Sequence, residues 1–433
     1  MARLPAAINF AGPIRRRDPR RPDTSRCTVV DRAFSGMSHT SCKVPDVFSR
    51  RGVLGVLLAA GAAGVVYRSA RTISQARSIV PLGTSVDSPL LPPTVTAVVP
   101  ARNEARVVGD CLRALSTQTH GESGESALRM VLVDDGSTDA TGDIARERAA
   151  ADPRLSVVRS EGPPPGWSGK VHAMHQGVQA AGEPEPGEWL LFVDADTVLA
   201  PSVVARLIRT AEELDADLLS TPGGPQPGHS ASWPLLMAPG LQMIGENANP
   251  DGSGRKAFAI GHCLLVRRSH YEKVGGWEAL ASQRNEDVAI ATAVRDQGGR
   301  VRVVDSRGQV TTSGMDPFSA GWGSFRKSFT AGTGGSLPAL VGIGVGQIAA
   351  SLVSPAALAV GWRGRRPVVA AAGALGWAAQ SCAHAKAARI VRANRAVAPA
   401  APLTGALFGG VVLDGAVRVA AGRTTWKDRG TDC

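Results

Sequence analysis

The chain has 433 residues, enough for one sizeable domain with appendages or for two, and a formal net charge of +11 that is concentrated at its ends. Residues 1–51 carry +7 and residues 363–433 carry +8, while residues 52–362 carry −4. Basic ends beside apolar stretches on a mildly acidic body, with only 4% aromatic residues, favour a membrane surface and speak against nucleic acid, which needs a basic groove or stacking platforms.

Residues 1–50 are rich in Arg and Pro, lack apolar periodicity and are expected to be a disordered basic segment, with Met37 as an alternative start. Residues 52–67 carry no charge and would span about 24 Å as a helix. Residues 51–70 therefore read as a membrane anchor. Ser49-Arg50-Arg51 also resembles a twin-arginine export signal, the competing reading.

From Val95 the pattern changes to strands alternating with amphipathic helices. V-T-A-V-V (95–99) is a buried strand that Pro100 should end, and Asn103 should cap a helix whose apolar face uses Val107, Val108, Cys111, Leu112 and Leu115. M-V-L-V (130–133) is a second strand, followed by Asp134-Asp135-Gly136-Ser137 and a helix from near Thr138. L-S-V-V (155–158) leads into the loop E-G-P-P-P-G-W-S-G-K (161–170) and another helix, and W-L-L-F-V (189–193) is the fourth strand. This alternation predicts an α/β fold with a mostly parallel sheet covered by helices.

Ligands of such sheets bind beyond the carboxyl ends of the strands. Glu104, Asp134, Asp135, Lys170, Asp194 and Asp196 all follow strands directly or through a short loop, so they share one rim. If the chain stays extended past Val193, Asp194 and Asp196 point the same way, and two such anions need a cation or a donor-rich ligand between them. The alternative is a capped helix start before Pro201. The rim suits a nucleotide diphosphate with Mg²⁺ or Mn²⁺, which takes one or two carboxylates while phosphates complete its shell. Lys170 adds positive charge for the leaving group, and Asp134 and Asp135 can accept hydrogen bonds from a base or a ribose. The loop 161–169 either closes over a sugar or is an ordinary surface turn.

Asn285-Glu286-Asp287 opens a further helix. Its acidity either serves the helix dipole or, if Asp287 faces the rim, supplies a general base for an acceptor hydroxyl. No charge occurs in 328–362, 367–385 or 396–413, which reads as two membrane spans plus a third span or interfacial helix, packed closely through Ala and Gly. The six cysteines include no C-x-x-C pair, and His172 and His175 have no third ligand nearby, so neither a disulfide framework nor a zinc site is expected.

V-V-P-A-R-N-E, V-D-D-G-S-T-D, G-W-S-G-K-x-x-A-x-x-Q-G, F-V-D-A-D-T and N-E-D-V, in this order over residues 95–335, resemble the family 2 glycosyltransferases of GT-A fold. G-W-S-G-K (166–170), K-S-F-T-A-G (327–332) and T-W-K-D-R (425–429) are most similar to the membrane-anchored branch with diaponeurosporenoate and hopanoid-associated glycosyltransferases. The resemblance implies a GT-A domain over 95–335, membrane helices over 337–422 and a tail over 423–433. It implies a UDP-sugar or similar donor, inversion at the anomeric carbon and a lipid-like acceptor such as a carotenoid or terpenoid. By position it places Ala101, Glu104, Asp134, Asp135, Lys170, Asp194 and Glu286 around the nucleotide sugar, Asp196 on the divalent cation, and Asp287 as the base. The Q-x-x-R-W motif of processive polysaccharide synthases is missing, with Phe325-Arg326-Lys327 in that region, and Asp428 stands where similar enzymes tend to have glycine.

The resulting expectation is a multi-pass membrane enzyme with its catalytic domain facing the cytoplasm, where nucleotide sugars are found. Two rivals stay open: a polyprenyl-phosphate sugar transferase, and a non-catalytic membrane protein that binds nucleotide sugars.

Overall fold

The computed structural model describes residues 50–83, 93–119, 127–228, 231–245, 249–253, 257–423, 425–426 and 429–430. The basic segment before residue 50, the alternative start at Met37 and Asp428 lie outside the described residues.

Helix α1 (Arg50–Ser78) leads directly into the short strand β1 (Val80–Pro81). The expected alternation follows: β2 (Val95–Ala101), α2 (Val108–Ser116), β3 (Leu128–Asp135), α3 (Thr141–Ala151), β4 (Leu155–Ser160), α4 (Gly169–Ala180) and β5 (Trp189–Val193). Then come β6 (Thr197–Leu199), α5 (Val203–Glu213), β7 (Leu218–Thr221), β8 (Gly224–Pro225), α6 (Trp233–Gly245), β9 (Cys263–Arg267) and α7 (Arg268–Lys273). The domain closes with α8 (Glu286–Asp296), β10 (Val301–Asp305), β11 (Val310–Thr312) and α9 (Phe318–Gly332). Three long helices follow, α10 (Leu337–Arg363), α11 (Pro367–Ile390) and α12 (Ala401–Ala420), before a small antiparallel pair, β12 (Thr425–Trp426) and β13 (Arg429–Gly430).

The main sheet has eight strands in the order β1-β10-β7-β9-β5-β2-β3-β4. All run parallel except β9, which is antiparallel to both β5 and β7. The sheet is thus mostly parallel and covered by helices, as the alternation predicts. Strand β2 is buried on both faces, which explains its unbroken apolar run. Val95, Ala97 and Val99 pack with Leu112 and Leu115 of α2, while Val98 packs with Val171 and Met174 of α4. At Gly177 a Cβ would stand 2.4 Å from Val98 Cγ1, so glycine permits the close approach of α4.

Several boundaries differ from the sequence reading. Pro100 does not end β2: it pairs opposite Val133, and Ala101 opposite Asp134. Asn103 does not cap α2, which starts at Val108. Its backbone is left-handed (φ 53°), and its side-chain oxygen accepts from Thr138 N–H at 2.8 Å across the rim. Helix α3 begins at Thr141 rather than Thr138. Neither reading of Asp194-Ala195-Asp196 holds, because β5 stops at Val193 and a turn closed by Thr197 N–H to Asp194 O (2.9 Å) leads into β6. Strand β1 and strands β6 to β13 are elements beyond the four expected.

Helices α1, α10, α11 and α12 form a bundle whose contacts rest on small residues. A Cβ on Gly361 would lie 2.3 Å from Ala370 N, one on Gly373 2.3 Å from Leu358 N, and one on Gly409 2.8 Å from Gly344 O. Backbones therefore touch, as the Ala- and Gly-rich composition predicts. Among the described residues three helical stretches are long and apolar enough to cross a membrane: Arg51–Ser78, Leu337–Arg363 and Arg395–Ala420. Helix α11 is not one of them. The Arg366 guanidinium donates to the Arg51 carbonyl, so the start of α1 and the α10–α11 turn lie at the same end of the bundle. One apolar cluster joins the bundle to the sheet domain, through Trp233 and Met237 of α6, Phe325 of α9, Leu340 of α10, Ala387 of α11 and Phe408 of α12.

Candidate active site

Lys170 occupies the first turn of α4, where the loop after β4 delivers it to the sheet rim. Its Nζ lies 2.6 Å from Asp194 Oδ1, directly after β5, and 2.6 Å from Glu286 Oε1 at the start of α8. Beside them Asp287 Oδ2 accepts from Gly261 N–H at 3.0 Å. Gly261 closes the cluster from below: a Cβ there would stand 3.3 Å from Lys170 Nζ, 3.6 Å from Glu286 Oε1 and 3.7 Å from Asp287 Cβ. One cation thus sits among three carboxylates contributed by β5 and α8.

Burial works to lower the Lys170 pKa, but Asp194 and Glu286 outweigh it and hold the ammonium above its ordinary range. Burial works to raise that of Asp194, yet Lys170, with His262 and Lys327, keeps it below the usual carboxylate value. Asp287 goes the other way. Burial and then the negative charge of Glu286 push it up to about 7, with Lys170 only partly offsetting them. Two neighbouring carboxylates with opposed shifts are what a division between charge-holding and proton-accepting roles requires.

Lys170, Asp194, Glu286 and Asp287 line one cavity of about 1480 Å³. Its walls include the loop 161–169, the apolar residues Met237, Leu241 and Ile244 of α6, Phe325 and Phe329 of α9, and Ile343 of α10. Arg326, Lys327, Arg418 and Arg423 line it as well. The site therefore runs from a charged sheet edge to the foot of the helix bundle.

The other expected site residues stand on the rim but not in this cavity. Ala101 ends β2 opposite Asp134. Asp134 Oδ1 accepts from Ser137 N–H at 2.9 Å, and its other oxygen packs against Gly142 of α3, so its carboxylate organises the turn after β3. Asp135 lies 3.7 Å from the Arg102 guanidinium, which also donates to its carbonyl at 2.9 Å. Glu104 N–H donates to Thr141 Oγ1 at 2.8 Å, lacing the two rim loops together. Asp196 turns toward the loop after β11, where a Cβ on Gly314 would come 2.8 Å from its Oδ2. No group of three or more His, Cys, Asp or Glu side chains suited to an ion occurs among the described residues. Asp196 offers a single carboxylate, so a cation at it would have to draw its other ligands from a phosphorylated substrate.

His262 was not singled out by the sequence, yet it lines the cavity just before β9. Its Nδ1 accepts from Gly223 N–H at 3.0 Å, which places the proton of the neutral ring on Nε2. Burial lowers its pKa against the pull of Asp194. The isolated H in I-G-H-C gave no periodic signal by which to find it. His172 and His175 pack against Trp167, with ring centroids 5.4 and 4.9 Å away.

Residues 96–275, from β2 to the end of the β9–α7 region, match the family model described as Glycosyl transferase family 2. These residues are thus similar to the family 2 glycosyl transferases. The 4,4'-diaponeurosporenoate glycosyltransferase of Staphylococcus aureus strain bovine RF122 / ET3-1 is 27% identical over 264 residues, 57% of this chain and 64% of that protein. The same-named protein of strain USA300 is 27% identical over 263 residues, with the same coverage. The aligned chain thus spans 64% of the length of these relatives. A mannosyltransferase from Pyrobaculum calidifontis, solved with GDP-Man and Mn²⁺, has a TM-score of 0.49 and 18% identity, covering 86% of this chain and 99% of that one.

Proposed function

We propose that this protein is a membrane-bound inverting glycosyltransferase that moves a sugar from a nucleotide-sugar donor, a UDP-sugar in the first instance, to a lipid-like acceptor such as a carotenoid or terpenoid. One observation carries the reading: a single cavity has the Lys170–Asp194–Glu286–Asp287 cluster at one end and apolar side chains of α6, α9 and α10 at the other.

In this reading the nucleoside lies along the ends of β2 and β3, near Ala101, Glu104, Asp134 and Asp135, and the sugar end reaches into the cavity. Asp194 and Glu286 hold Lys170, which faces the leaving diphosphate. Asp287 accepts the proton of an acceptor hydroxyl as its oxygen attacks the anomeric carbon from the side opposite the diphosphate. A divalent cation, Mg²⁺ or Mn²⁺, held by Asp196 would neutralise the departing phosphates. The loop 161–169 covers the sugar and excludes water. An acceptor arriving along the bilayer meets the cavity at the foot of the bundle, which accounts for a catalytic domain fused to apolar helices.

Nucleotide sugars are cytosolic, so the sheet domain faces the cytoplasm. Loop charge does not decide the orientation: Arg51 and Arg366 share the bundle end opposite β1, while Arg68, Arg71 and Arg77 lie toward the other end of α1. The location of the donor carries more weight here.

A polyprenyl-phosphate acceptor is the second reading, favoured by Arg326, Lys327, Arg418 and Arg423 on the cavity wall. Membranes containing the protein, incubated with labelled UDP- and GDP-sugars and analysed by lipid extraction and mass spectrometry, test both. A labelled neutral lipid supports the first reading and a labelled lipid phosphate the second. Donor binding without transfer or hydrolysis removes both in favour of a non-catalytic role.

A further inference from the structure

A second cavity, of about 40 Å³, lies behind the wall of the first. It is enclosed by Ala76 of α1, Ile79, Phe258, Val303 of β10 and Ile390 of α11. Leu241 and Ile260 line both cavities and so form the partition between them. Both halves of the partition have their backbones held, so only side chains can adjust. Ile260 is pinned through its backbone, its N–H donating to Ser220 Oγ at 2.7 Å and its carbonyl accepting from the same hydroxyl at 2.9 Å. Leu241 has its backbone fixed within α6, while its side chain packs against apolar clusters on both sides.

The position matters. Ile260 is followed by Gly261, whose N–H holds Asp287 at 3.0 Å. The partition therefore stands next to the base, not at the distant end of the acceptor path. It is too small for a sugar or a nucleotide, and its mainly apolar lining disfavours a charged group. A short hydrocarbon branch close to the attacking oxygen fits both its size and its walls.

We propose that this chamber receives an apolar branch carried by the acceptor within a few bonds of its attacking oxygen, and that Leu241 limits the size of that branch. The proposal rests on the lipid-acceptor reading above and adds to it a shape for the reacting end of the acceptor.

The test uses the full chain in detergent or vesicles, a labelled nucleotide sugar and primary alcohols of equal carbon number. One alcohol is straight, one has a methyl branch near the hydroxyl, and one has a bulkier branch there. For the unaltered protein, kcat/KM should favour the methyl-branched alcohol over the straight one by about fourfold, the worth of one buried carbon. Leu241→Ala should move the optimum to the bulkier branch, and Leu241→Phe should bring the branched-to-straight ratio down to about one. Identical ratios in all three proteins overturn the role of the chamber while leaving the acceptor class standing. Transfer to none of the alcohols removes the lipid-acceptor reading and the chamber with it. Opposite shifts from Ala and Phe cannot arise from a general loss of folding.

Discussion

Arg326 of α9 holds Asp414 of α12 at 3.0 Å, and Trp322 Nε1 donates to the same Asp414 oxygen at 2.9 Å. The only acidic side chain of α12 is thereby neutralised by the helix that walls the cavity, and the sheet domain is tied to the bundle. Arg418 of α12 itself lies 3.4 Å from the other Asp414 oxygen, and a carboxylate in a mostly apolar helix is costly without such partners.

Asp414→Ala is therefore expected to leave the Arg326 charge and the Trp322 N–H unpaired, costing about 1–3 kcal/mol. A double-mutant cycle with Arg326→Ala, read by thermal unfolding in detergent, should show a coupling energy of about 1 kcal/mol or more. Additive losses would show that the two helices are not coupled through this pair.

Lys170→Met should lower kcat by about 10²–10³, the usual effect of removing one charge aimed at a leaving group. Lys170→Arg should not restore it, because the ammonium already lies against Gly261, where a Cβ would be only 3.3 Å away. For the same reason Gly261→Ala should impair turnover without removing any functional group. Steady-state kinetics with a saturating donor check all three.

Asp287 carries the pH dependence. Its folded pKa of about 7 lies above its unfolded value near 3.9, so the folded chain takes up a proton between those pH values. The stability it contributes is thus fully present below about pH 3.9 and lost as pH rises through 7. In the proposed mechanism catalysis needs the ionised form, so transfer should rise through pH 7 and level off above it. Asp287→Asn should abolish transfer with donor affinity nearly intact. The same change should raise Tm at pH 8 and leave it little altered at pH 4.

Gly314→Ala should mimic Asp196→Ala. The added Cβ would stand 2.8 Å from Asp196 Oδ2 and displace that carboxylate. Both variants should demand at least tenfold more Mn²⁺ or Mg²⁺ for half-maximal donor hydrolysis. An unchanged metal requirement in both would take Asp196 out of the metal role.

Sequence alone determined the repeated strand–helix alternation, the mostly parallel sheet, the rim as the place of the polar residues and the apolar character of the long helices. All of these follow from local periodicity and chain direction. W-L-L-F-V stops where β5 stops, a short continuous apolar run being suited to a strand buried on both faces. It did not reveal β7 or β9, whose short apolar runs end in polar residues. Nor did it show that Asp194 and Asp196 part company. That depends on a turn which gives Asp194 to Lys170 and sends Asp196 toward Gly314. The tertiary structure alone decided which carboxylates share a cavity, because α8 brings Glu286 and Asp287 to Lys170 across more than a hundred residues. It also decided that the bundle supplies the apolar walls, since burial is a property of packed neighbours and not of any one segment.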